Sequence, residues 1–120
     1  MKLRIKGPSI RLRLSQTEVR TLAATGRCAE ATPLPGGTFT YTLQTGPAYA
    51  AHLDGSTLTV QVPEAVATAW AESDQVSLSS TLVLEDGTEV KLLIEKDFQC
   101  LAPDRDEDES DLFPNPNPHC

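Results

Sequence analysis

Lys2-Leu3-Arg4-Ile5-Lys6-Gly7-Pro8-Ser9-Ile10-Arg11-Leu12-Arg13-Leu14-Ser15-Gln16-Thr17-Glu18 is the stretch that decides the fold class. Leu3 and Ile5 alternate with Lys2, Arg4 and Lys6, and Ile10, Leu12 and Leu14 alternate with Arg11 and Arg13. Strict period-two alternation puts every second side chain on one face of a strand. Gly7-Pro8 between the two runs is a turn signal. The pair therefore reads as a β-hairpin with one apolar and one basic face. Ser15-Gln16-Thr17-Glu18 follows as a capping box, in which Ser15 accepts from the Glu18 amide and Glu18 accepts from the Ser15 amide. The helix it opens carries Val19, Leu22 and Ala23, and Gly26 ends it.

Working outward, Cys28 to Leu34 and Thr38 to Gln44 read as strands around Pro35-Gly36-Gly37. The plan then recurs. Leu53-Asp54-Gly55-Ser56-Thr57-Leu58 matches Ile5-Lys6-Gly7-Pro8-Ser9-Ile10, and Leu58, Val60 and Val62 stand where Ile10, Leu12 and Leu14 stood. Pro63 replaces Ser15 and suits a first helical position. Val66 and Trp70 supply the second helix stripe, with Trp70 aligned to Leu22. Val76 and Leu78 begin a strand that turns at Asp86-Gly87-Thr88 into Val90, Leu92 and Ile94. The expectation is an α+β domain over residues 1–98, built from two hairpin–helix–hairpin (ββαββ) units, 1–46 and 47–98. Each unit is too small to bury its own apolar face. Two geometries fit: a mainly antiparallel continuous sheet with two helices on one side, or a partly closed barrel.

Residues 99–120 differ in composition, being rich in Asp, Glu, Pro and Asn. Phe113-Pro114-Asn115-Pro116-Asn117-Pro118 is expected to be extended, because proline fixes φ and biases its predecessor away from helix. The segment reads either as a solvated acidic tail or as one docked on the domain through Leu112 and Phe113.

The 120-residue chain has a formal net charge of −7, unevenly spread. Seven of the ten basic residues lie between Lys2 and Arg27, and six acids lie between Asp104 and Asp111. Net negative charge disfavours general nucleic-acid binding. The six aromatic residues are a poor supply for stacking bases. No apolar run is long enough to cross a bilayer. Lys2, Arg4 and Lys6 are not followed by the apolar core of a secretory signal. The expected compartment is the cytoplasm, where Cys28, Cys100 and Cys120 stay reduced.

Three places are candidates for chemistry. The first is Cys100, His119 and Cys120, whose thiols and imidazole suit zinc or another transition metal, although their spacing matches no tight ligand motif. A disulfide between Cys100 and Cys120, or two unrelated thiols, are the alternatives. Cys28 reads as a small buried strand residue. The second is the basic face of Lys2, Arg4, Lys6, Arg11 and Arg13, which suits an anion, an acidic partner or the chain's own Asp104 to Asp111 run. Its plain alternative is a solvated strand face. The third is His52, which has no partnered nucleophile in any recognised pattern. No nucleophile elbow, phosphate-binding glycine loop or His-Glu-x-x-His is present. A non-enzymatic binding or accessory module, with a protein or small-molecule partner and no membrane, is the leading expectation. A metal- or thiol-dependent enzyme using Cys100 or Cys120 is the main alternative. An open sheet edge also permits a homodimer.

Met1-Lys2-Leu3-Arg4-Ile5-Lys6-Gly7 and Ser9 to Gln16, together with Glu95-Lys96-Asp97-Phe98-Gln99-Cys100-Leu101 and Phe113-Pro114-Asn115-Pro116, resemble a family of short bacterial proteins without an assigned activity. The resemblance spans nearly the whole chain. It includes the positions of Cys100 and Cys120, so it implies a thiol pair over a Cys-His metal site. It also implies that the tail belongs with the domain.

Overall fold

The computed structural model describes residues 1–98 and 110–114. The elements run β1 (Lys2–Ile5), β2 (Ser9–Leu14), α1 (Gln16–Thr25), β3 (Arg27–Leu34), β4 (Gly37–Gly46), β5 (Ala50–Asp54), β6 (Thr57–Pro63), α2 (Glu64–Ala71), β7 (Ser77–Val83) and β8 (Glu89–Lys96). This is an α+β fold, mostly sheet with two helices.

The strands form two four-stranded sheets, ordered β1-β2-β8-β7 and β3-β4-β6-β5. Neither a single continuous sheet nor a barrel forms. In each sheet two antiparallel hairpins meet along a parallel seam. Ser9 to Leu14 pairs with Lys91 to Lys96 in one, and Thr40 to Gly46 pairs with Thr57 to Pro63 in the other. α1 carries the chain from the end of β2 into the other sheet, where β3 pairs with β4. The sheet of β2 is completed by β8 instead, which runs away from its own hairpin turn in the same direction.

Both sheets and both helices bury their apolar faces in one core. Leu12 and Leu14 of β2, Leu43 of β4, Val60 and Val62 of β6, and Leu92 and Ile94 of β8 meet Leu22 and Trp70 from the helices. Each such side chain contributes roughly 1.5–3 kcal/mol by leaving water. Trp70 is fully buried, and its indole N–H donates to Val76 O at 3.2 Å.

The α1 capping box forms as the residues require: Glu18 N–H donates to Ser15 Oγ and Ser15 N–H donates to Glu18 Oε1. Gly26 closes the helix at φ 78°, and a Cβ there would stand 2.9 Å from Thr45 Oγ1. In α2 the expectation shifts by one residue. Pro63 is the cap, with ψ 136°, and Glu64 is the first helical residue. Pro63 still belongs to β6, where it pairs with Gly46, and that pairing holds its ψ extended. Val76 lies just outside β7, which begins at Ser77.

Candidate functional site

The N-terminus of α1 presents amides that its own first turn cannot satisfy. Glu18 N–H is taken by Ser15, as above. The other two are taken by the C-terminal segment. Gln16 N–H donates to Asp111 O at 2.9 Å, and Thr17 N–H and Oγ1 both donate to Asp111 Oδ1. The Asp111 carboxyl is held below its usual range, first by the Thr17 hydroxyl. A negative charge here also opposes the positive end of the helix dipole. Gln16 Nε2 donates to Leu112 O, and Leu112 is buried with 7 % of its surface exposed. Phe113 N–H donates to Asp97 O at 2.9 Å, forming a short parallel bridge with Phe98. The two phenyl rings stand 5.7 Å apart.

Beside this segment, β8 ends at Lys96. Lys96 is buried, with 6 % of its surface exposed. Its Nζ donates to Ser73 O at 2.6 Å and lies 5.5 Å from the Trp70 ring and 5.6 Å from the Phe113 ring. Aromatic faces attract a cation at that range. Burial lowers the ammonium pKa, against a smaller opposing effect of the Asp74 charge. Lys96 and Phe98 line a cavity of about 510 Å³ with Phe113 and Pro114 as another wall. Ala71, Ser73, Asp74 and Val76, at and after the end of α2, also line it. A partly apolar cavity of this size with a few polar groups on its lining, here Lys96 and Asp74, is the form that small-molecule sites take. Lys96 was not a candidate in the sequence; its only signal is that it follows the buried alternation of Leu92 and Ile94.

The basic hairpin face is brought together and largely compensated from within. Lys2 pairs across the strands with Arg13, and Arg4 with Arg11, which places like charges opposite one another. Glu95 of β8 answers them: its Oε1 lies 2.7 Å from Arg13 Nε and 3.4 Å from Arg11 Nε. Lys2 Nζ lies 3.0 Å from Asp97 Oδ2. Arg4, Lys6, Ser9 and Arg11 line a shallow hollow of about 160 Å³.

A polar cluster that the sequence did not signal ties the sheets together. The Met1 α-ammonium pairs with Glu18 and, at 2.9 Å, with Glu30, while Tyr41 O–H donates to Met1 O at 2.8 Å. Burial by itself would lower the ammonium pKa, but the hydrogen bonds and charges of Glu18 and Glu30 hold it above its ordinary value of 8.0. Burial would raise Glu18, but its bonds to Met1 and Ser15 hold it below 4.5. Cys28 is buried beside Glu18, and burial, then the Glu18 charge, push its thiol pKa up. A raised pKa leaves little thiolate at neutral pH. His52 is exposed on edge strand β5, opposite Thr59.

Cys100, His119 and Cys120 lie outside the described residues, as do Asp104 to Glu109. Among the described residues no three His, Cys, Asp or Glu side chains converge as a metal-ligand set. No helix among them is long and apolar enough to cross a membrane.

The family model DUF7009, described as a family of unknown function, matches residues 1–117. No curated protein and no solved structure matches the chain.

Proposed function

The chain belongs to DUF7009, and we propose that it is a small non-enzymatic binding module whose C-terminal segment folds back to complete a ligand site. The observation that carries this reading is the seating of Asp111 to Phe113. Its backbone and side chains satisfy the first amides of α1 and extend from Asp97, and its Phe113 ring walls the Lys96 cavity. A segment that only needed to stay soluble would have no use for a buried leucine and a ring against Phe98. Lys96 and the rings give recognition. Among the described residues Cys28 is the free thiol, and burial pushes its pKa up, away from the thiolate that a nucleophile needs.

Comparison of the full chain with a variant ending at Leu101 tests this. Loss of the segment lowers the melting temperature and exposes the amides of Gln16 and Thr17 to exchange. An unchanged melt with unchanged exchange at Gln16 and Thr17 overturns the reading.

The architecture supports a companion reading, two ββαββ units over 1–46 and 47–98 related by an approximate two-fold axis. Its support is the recurring order hairpin, helix, hairpin, and the two parallel seams, β2 with β8 and β6 with β4, which such an axis would exchange.

A further inference from the structure

We propose that the Lys96 cavity binds a small monocarboxylate with an apolar or aromatic body. The inference rests on the reading of the C-terminal segment as part of the domain, since Phe113 and Pro114 form one wall.

An ammonium offers three N–H donors. Among the described residues, Lys96 Nζ places one on Ser73 O, lies against the Trp70 and Phe113 ring faces, and feels the Asp74 charge without a hydrogen bond to it. Ring faces attract the charge but do not replace the hydrogen bonds that water supplied. Lysine is almost never this buried unless it is paired, and the described residues give Lys96 one hydrogen bond and no carboxylate in contact. A methionine would fill the slot between the two rings with no charge to desolvate. What the lysine adds is a donor and a positive charge on the lining of a cavity of about 510 Å³. A carboxylate placed there accepts the remaining donors in a short, charge-assisted contact.

The rest of the cavity selects the body and the charge of the ligand. Phe98, Phe113, Pro114 and Val76 offer apolar surface to a ring or short alkyl chain. Asp74 is exposed on the lining and carries a negative charge. It repels phosphate and other multiply charged anions more strongly than a monocarboxylate. An amine ligand would set a second cation beside Lys96.

The test is an NMR titration of the full chain with phenylacetate, with phenylacetamide, benzylamine and inorganic phosphate as comparisons. Phenylacetate is expected to give saturable shifts at residues 71–76, 96–98 and 112–114, and the three comparison compounds to bind at least about tenfold more weakly, the loss of one charge-assisted contact. Lys96→Met weakens phenylacetate binding by a similar factor. Val76→Phe, at the partly exposed cavity lining, blocks binding even if Lys96→Met fails to fold. The inference is overturned if phenylacetate gives no saturable shift up to its solubility limit. It is also overturned if phenylacetamide, benzylamine or phosphate binds equally well, or if binding survives Val76→Phe. A Phe113 amide protected from exchange without phenylacetate binding removes the ligand site and leaves the docked segment standing. An unprotected Phe113 amide removes the underlying reading itself.

Discussion

The ammonium of Lys96 lies 5.6 Å from the ring of Phe113, so the end of the last strand and a residue near the end of the chain share one contact. Through Phe113 N–H and Asp97 O the two backbones are also joined, next to the salt bridge from Asp97 to Lys2. The C-terminal segment, β8 and the N-terminal hairpin therefore meet at one corner of the fold.

Leu112 is the apolar anchor of that corner. Leu112→Ala is expected to cost about 2 kcal/mol, at the low end for a buried leucine because the segment can shift to fill the space. Urea unfolding followed by Trp70 fluorescence measures it. A cost near zero would mean that Leu112 is not held in the core.

The cluster at Met1 makes stability depend on pH in two directions. The raised α-ammonium pKa contributes stability that is fully present below 8.0 and is lost as pH rises through the folded-state value. The lowered Glu18 pKa contributes stability that is present above 4.5 and is lost as pH falls through its folded-state value. Glu18→Gln should therefore lower stability by about 1 kcal/mol at neutral pH, after allowance for solvent screening, and flatten both limbs. A peptide tag fused ahead of Met1 should do the same. A melting profile of Glu18→Gln that parallels the parent on both the acid and the alkaline side contradicts it.

Glu95 neutralises a crowded row of cations. Glu95→Gln leaves Arg11 and Arg13 facing Lys2 and Arg4 without their carboxylate. Stability should fall by about 1 kcal/mol at low salt, and by less as salt screens the repulsion. Melting temperatures across a salt series check this; a salt-independent loss would point to packing instead of charge.

Thr42, on a central strand, holds a buried hydroxyl with no hydrogen-bond partner among the described residues. Thr42→Val should raise stability by about 1 kcal/mol, because an unsatisfied buried hydroxyl is removed. Lower stability in chemical denaturation would show that the hydroxyl has a partner after all.

Much of the fold is legible in local pattern. The alternation around Leu12 and Leu14 gives the first hairpin, Ser15 and Glu18 give the start of α1, and Gly26 gives its end. The parallel seams are not legible, because alternation looks the same whichever way the neighbouring strand runs. That hides the site as well. Glu95 and Asp97 reach Arg11, Arg13 and Lys2 only because β8 lies beside β2, whereas the sequence offered the run from Asp104 to Asp111 as the nearest source of acids. Of that run, Asp111 turns toward α1 and away from the cations. Lys96 sits between two acids in the sequence, Glu95 and Asp97, and nothing local shows that Trp70 and Phe113 stand against its ammonium. The Met1 ammonium has no side-chain signature at all.

Hydrogen exchange at the Phe113 amide is the most direct measurement of whether the C-terminal segment is part of the domain. Protection approaching that of the β8 amides, lost together with protection at Gln16 and Thr17 in Leu112→Ala, is the expected result. Exchange of the Phe113 amide at the rate of an unstructured peptide, while β8 stays protected, would contradict the account.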